Sequence, residues 1–292
     1  MKFLRSCLQL FSFAASAFLV IGTAGFLYVS YQLAWDYVHP SRVAPAADDA
    51  PAKFGITYHD VTLTTSDGLK LSAWYTPPKN GAIILAAHGY HNRRLTDTHI
   101  LFAERGYGVV SWDFRAHGVS EGDLCTLGYY EVRDVEAALD FALKQTGVRS
   151  VGVWGESMGG ATAILAAAKR QEIKAVIADS AFPTLEGELE MMIHLPILRP
   201  PIRFFAELEA GVSVDKVRPI DQIGRISPRP VMIIHGLADD AIAPNSGQLL
   251  YNAAGEPKVL WREPQVGHVG MRAVYPEQYQ KKVFAFFDSA LK

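Results

Sequence analysis

The chain has 292 residues, 49% of them hydrophobic and 20% charged, with a formal net charge of −2. That length allows one large domain with a sizeable buried core, or two small ones. The charge balance offers no basic patch for nucleic acid, and two cysteines are too few for a cysteine-rich zinc site.

The first feature along the chain is an apolar run. After Lys2 and Arg5, no charged residue occurs from Ser6 to Trp35, a stretch of 30 residues. About 20 residues suffice for a helix to cross a bilayer, whereas a cleaved signal peptide has an apolar region of only about 7–15. Ala44, Pro45 and Ala46 resemble a cleavage site but lie too far downstream. Residues 1–36 therefore read as an uncleaved N-terminal transmembrane helix. Cys7 at its head and Cys125 far along the chain read as unpaired thiols.

Lys2 and Arg5 precede the span and Asp36 follows it. The positive-inside bias then leaves the short tail in the cytoplasm and the large domain on the extracytoplasmic side. Tyr28, Tyr31, Trp35 and Tyr37 would form the aromatic belt at the far interface. Residues 37–55, including HPSRVAPAADDAPAK, read as an exposed linker. No candidate catalytic residue lies in residues 1–50, so the domain is expected to stay active without them.

Residues 56–292 alternate between strand and helix patterns. ITYHDVTLTTSDG and LKLSAWYTP read as a β-hairpin turning at Asp67 and Gly68. AIILAAHG is a short apolar strand, and THILFAERG has helical periodicity ending at Gly106. YGVVSWDF is a buried strand, and YYEVRDVEAALDFALKQTG an amphipathic helix. SVGVWG, a helix from Met158 to Lys169, and IKAVIADS follow. PVMIIHG, a helix near SGQLLYNAA, PKVLWREP and a closing helix through YQKKVFAFFDSAL complete the order. Such alternation with continuously apolar strands predicts an α/β fold, a mostly parallel sheet with helices on both faces. Ligands then bind beyond the carboxyl ends of the strands, where GESMG, HGYH, DFRAHG and HGLADD all fall.

The stretch VGVWGESMGG (151–160) carries the chemistry. A serine between glycines, where a strand hands over to a helix, matches a nucleophile elbow, with Ser157 raised on a strained turn. A serine hydroxyl needs a positioned base, and the base needs a third group to orient it. IHGLADDAIAP supplies an acid behind a strand, Asp239 or its neighbour Asp240, and the pattern H-G-x-x-D selects Asp239. VLWREPQVGHVG supplies His268 after the next strand. The helix amino terminus offers the Met158 amide to an oxyanion, and LAAHGYHNR offers the Tyr90 amide as the second donor. His88 and His91 are spaced H-x-x-H, but no Cys, Asp or Glu nearby completes a metal set. Asp113 and Arg115 read as bonds within a structural rim loop.

These segments together resemble the α/β-hydrolase superfamily, in particular bacterial membrane-anchored hydrolases grouped with serine aminopeptidase-like proteins. The resemblance covers roughly residues 56–290 and rests on TSDGLKLSAWY, HGYHNRR, GYGVVSWDFRAHGVSEGD, GYYEVRDVEAALDF, GESMGGATAILAAA and HGLADDAIAP. Ala116 stands where these proteins commonly have glycine. The resemblance also implies a small helical cap within about 183–225, containing MMIHLPILRPPIRFF. That cap either covers its own core or grips lipid.

The expected function is a serine hydrolase cleaving carboxylic esters or related acyl compounds, with a small-molecule or lipid-like acyl substrate. The expected cofactor and metal complement is none. A peptidase or acyltransferase could use the same parts, and a non-catalytic binding module could keep the fold.

Overall fold

The computed structural model describes residues 2–43 and 50–291. Ala44, Pro45 and Ala46, and the side chains of Lys2, Arg5 and Cys7, lie outside the described residues. The charge-free run forms one helix, α1 (Lys2–Val38). Its segment Gln9–Val38, which contains an 18-residue stretch of mean hydropathy 2.0, is long and apolar enough to cross a membrane.

The end of α1 corrects the expected boundary at residue 36. The helix continues through Val38, and its last turns pack into the domain. Ser30, Ala34 and Val38 are buried, and the Val38 carbonyl accepts the Cys125 amide at 2.7 Å. Arg42, expected in an exposed linker, donates to the carbonyl oxygens of Ser120 and Gly122. A short 3₁₀ turn, Pro51–Phe54, closes the connection. Ala34 and Val38, four residues apart on one face with the small Ser30 a turn before them, explain this docking, because a helix buries such a stripe against its neighbours.

The hairpin strands β1 (His59–Thr64) and β2 (Lys70–Thr76) pair antiparallel across a turn where Gly68 has φ +91°. Then come β3 (Ala82–Ala87), α2 (Thr96–Glu104), β4 (Gly108–Trp112), α3 (Glu131–Leu143), β5 (Ser150–Glu156), α4 (Met158–Lys169) and β6 (Ile173–Asp179). After the cap come β7 (Val231–Gly236), α8 (Ser246–Ala253), β8 (Lys258–Glu263), α9 (Met271–Val274) and α10 (Pro276–Ala290). The sheet order is β1-β2-β4-β3-β5-β6-β7-β8, parallel from β4 onward. β3, β4 and β7 are buried along their whole length, as strands covered on both faces must be. One core, under α3, α4 and the cap, centres on residues such as Leu85, Val153 and Ile164. The opposite core holds Phe102, Trp154 and Phe287.

Between β6 and β7 the chain leaves the sheet to form the cap. It comprises α5 (Leu185–Met192), α6 (Arg199–Ala210) and α7 (Pro219–Gln222), with 3₁₀ turns between them. Prolines at 196, 200 and 201 prevent one continuous helix, because each lacks a backbone donor. α6 lies against the end of α1, where the Tyr31 and Phe205 rings meet edge-on at 5.6 Å.

Candidate active site

Strand β5 ends at Glu156 and α4 begins at Met158, leaving Ser157 alone in the turn. Its backbone has φ +51° and ψ −121°, a conformation that side-chain-bearing residues rarely adopt. The surroundings over-determine it: the Ser157 amide donates to the Asp179 carbonyl at 2.8 Å. A Cβ at Gly159 would collide with the Ala87 carbonyl oxygen, and one at Gly155 with the Gly159 carbonyl oxygen. The expected elbow is therefore present, and its two glycines are needed for close backbone approach.

Asp239 follows β7 and is buried, while Asp240 is exposed. One Asp239 oxygen accepts the amides of Ala241 (3.0 Å) and Ile242 (2.8 Å); the other accepts His268 Nδ1–H at 2.9 Å. Nδ1 is thereby fixed as the protonated nitrogen, and Nε2 is left free to accept a proton. The histidine loop is pinned from below, since the Val269 amide donates to Ser180 Oγ at 3.1 Å. Burial lowers the affinity of the His268 imidazole for a proton, but the bond and charge of Asp239, with Glu188 and Glu156 nearby, leave its pKa raised.

Ser157 and His268 line one cavity of about 570 Å³, together with Tyr90, Glu156, Asp179 and Arg272. No hydrogen bond joins Ser157 to the imidazole among the described residues, a contact that commonly tightens only when substrate binds. The Tyr90 and Met158 amides have no hydrogen-bond acceptor among the described residues. The Tyr90 phenol, in contrast, donates to the carbonyl oxygens of Tyr37 (2.8 Å) and Asp36 (3.3 Å) in the last turn of α1. The loop carrying one proposed oxyanion donor is thus tied to the amino-terminal helix.

Other residues singled out in the sequence take structural places. His88 Nε2 accepts the Phe114 amide at 3.0 Å, so its Nδ1–H donates to the Gly89 carbonyl. Burial holds that imidazole neutral, with a pKa well below the usual value. Among the described residues no cluster suits a metal. Arg115 pairs with Asp134 and Asp67, and Asp113 accepts the amides of Arg94 and Val119. Ala116 has φ +60°, which explains why glycine suits that position.

Three carboxyls around the site were not singled out in the sequence. Burial and the neighbouring Asp179 raise the pKa of Glu156 to about 7. Asp179 is itself raised by burial to about 6, although it accepts Tyr279 Oη at 3.1 Å. Glu188, on α5, is raised by burial to about 8, and its Oε2 has no partner among the described residues. Asp179 was within reach of sequence reasoning, as the charged end of an apolar strand on the binding rim. Glu188 was not, because its position depends on how the cap folds back.

The wider comparisons agree with this geometry. The serine aminopeptidase S33 family model matches residues 78–213. An esterase of Pyrococcus furiosus, Pf2001, superposes with a TM-score of 0.75 at 26% identity, over 88% of this chain and 99% of its own. The chain belongs to the α/β-hydrolase superfamily. Among its sequence relatives, the Bacillus subtilis protein YqkD is 32% identical over 198 residues, 65% of either chain. This chain thus spans just under two thirds of that relative's length. The α/β-hydrolase domain-containing protein WAV2 of Arabidopsis thaliana is 28% identical over 258 residues, 82% of this chain and 81% of its own.

Proposed function

We propose that this α/β-hydrolase cleaves carboxylic esters or related acyl compounds through Ser157, His268 and Asp239. The observation that carries the reading is a strained serine sharing one cavity with an imidazole whose far nitrogen is held by a buried carboxylate. Ser157 Oγ adds to the acyl carbon as His268 Nε2 takes its proton, and Asp239 stabilises the resulting imidazolium. The Tyr90 and Met158 amides receive the oxyanion. Collapse of the tetrahedral species breaks the bond to the leaving alkoxide, which takes the proton back from Nε2. Water then repeats the sequence on the acyl-serine and releases the acid. The likeness to a solved esterase favours esters over other acyl compounds.

A fluorophosphonate probe should label the wild-type protein and not Ser157→Ala. Hydrolysis of p-nitrophenyl esters should fall by about 10³-fold or more in that variant, at unchanged melting temperature. Near-normal turnover would overturn the assignment.

A second reading, aminopeptidase, draws on the matched family model and on the three carboxyls near the nucleophile. An incoming ammonium would favour their ionised forms, so aminoacyl p-nitroanilides belong beside the esters in the same assay. For location, we read α1 as a single-pass anchor with the catalytic domain on the extracytoplasmic side. Its length and hydropathy support the span, and the flanking charges support the orientation.

A further inference from the structure

The cap carries an apolar edge that its own core does not use. Leu195, Ile197, Phe204 and Leu208 are between 61% and 73% exposed. Phe204 and Leu208 are four residues apart on α6 and therefore share one face of it. Ile197 lies in the 3₁₀ turn that leads straight into α6. The nearby cations are engaged elsewhere. Arg203 bonds Glu186, Glu207 and Asp215, and Arg199 bonds the carbonyl oxygens of Glu190 and Ile193.

The position of this edge along α1 follows from two contacts. Phe205 meets Tyr31, and Glu209 lies 3.6 Å from His39, so the two helices run in the same direction. From Phe205 back to Ile197 is eight residues, roughly 12 Å along a helix axis at about 1.5 Å per residue. The same distance back along α1 from Tyr31 reaches about Thr23, inside the charge-free run and below its aromatic belt. Ile197 thus lies toward the charge-free run, while Leu195 stays nearer the belt, three residues after Met192, whose carbonyl oxygen accepts the Tyr37 hydroxyl at 3.3 Å.

We propose that this cap edge is immersed in the bilayer leaflet beside α1, so that the hydrolase meets its membrane through the cap as well as the anchor. The proposal rests on reading α1 as a span. Its partner is the lipid surface itself: the stripe is apolar and lies beside the anchor, while the guanidinium groups of Arg199 and Arg203 are bonded within the cap. The domain is then held against the membrane by two elements, the anchor and the cap, rather than by a flexible tether.

The test uses the full chain in phosphatidylcholine vesicles containing a spin-labelled quencher lipid. With Cys7 replaced by serine and Cys125 left buried, single cysteines carry an environment-sensitive fluorophore. They are placed by Phe18→Cys in the span, Ile197→Cys and Phe204→Cys on the cap edge, and Leu143→Cys as control. Leu143 ends α3, just before the connection to the amino end of β5, at the end of the sheet remote from the rim. Labels at 18, 197 and 204 should be quenched, and the label at 143 should not. Quenching at 18 with 197 and 204 as bright as 143 would overturn the cap proposal and leave the anchor standing. An unquenched label at 18 would overturn the anchor reading, and this proposal with it.

Discussion

Replacing Asp239 with asparagine tests the proposed triad most directly, because the structure dictates which way the new amide must turn. One oxygen of Asp239 accepts two backbone amides, from Ala241 and Ile242, and the other accepts His268 Nδ1–H. If the NH₂ faced the loop, two backbone donors would lose their acceptor, and the buried one, Ile242, would cost about 1–3 kcal/mol. If it faces His268, only one bond is disturbed, so this orientation wins. Nδ1 must then accept from the NH₂, which moves the ring proton to Nε2, the nitrogen that has to receive the proton of Ser157. The variant keeps its shape but presents the wrong tautomer, a defect worth about 10⁴-fold in kcat where it has been isolated. Asp240 is exposed, so Asp240→Asn should leave turnover close to wild type. The assay is kcat/KM on a short p-nitrophenyl ester, with melting temperature and fluorophosphonate labelling as folding controls. Equal losses in the two variants would refute the assignment of the acid, and a larger loss at Asp240 would shift it by one residue.

Three further outcomes follow from the same geometry. A chain starting at residue 23 keeps the turns of α1 that pack on the cap and should retain turnover. One starting at residue 44 lacks the carbonyls bonded by Tyr90 and Cys125, and should lose both heat stability and turnover; identical behaviour would reduce α1 to a plain tether. The proton affinity of His268 is raised above its ordinary value of 6.5, and only the neutral imidazole is a base. Activity should therefore be full at high pH and fall as pH drops through a midpoint above 6.5, seen as the acid limb of kcat/KM; a midpoint below 6.5 would contradict the Asp239 bond. Alkaline phosphatase fused after Lys292 should be active in a bacterial host, and a stable but inactive fusion would reverse the proposed orientation.

What the sequence made legible was chemistry with a local signature. The strands β3 and β7 are continuous apolar runs, and the glycines around Ser157 sit where one strand–turn–helix geometry requires them. Asp239 and His268 each follow a strand whose end faces the rim, so their order and neighbours singled them out, and the fold brings them into contact although they lie 29 residues apart. The end of α1 had no such signature. Its composition is explained by a bilayer alone, and a stripe of Ser30, Ala34 and Val38 looks the same whether lipid or protein covers it. The expectation that residues 1–50 are dispensable assumed that a segment without catalytic side chains has no hold on the site. Tyr90 shows where that assumption fails. The proposed acyl transfer uses an amide at its position, and the motif points to that amide. Nothing in that chemistry requires its phenol to reach a helix end 53 residues earlier in the chain. A backbone group is positioned by everything its own side chain touches, so the reach of a catalytic site extends to contacts that no motif records.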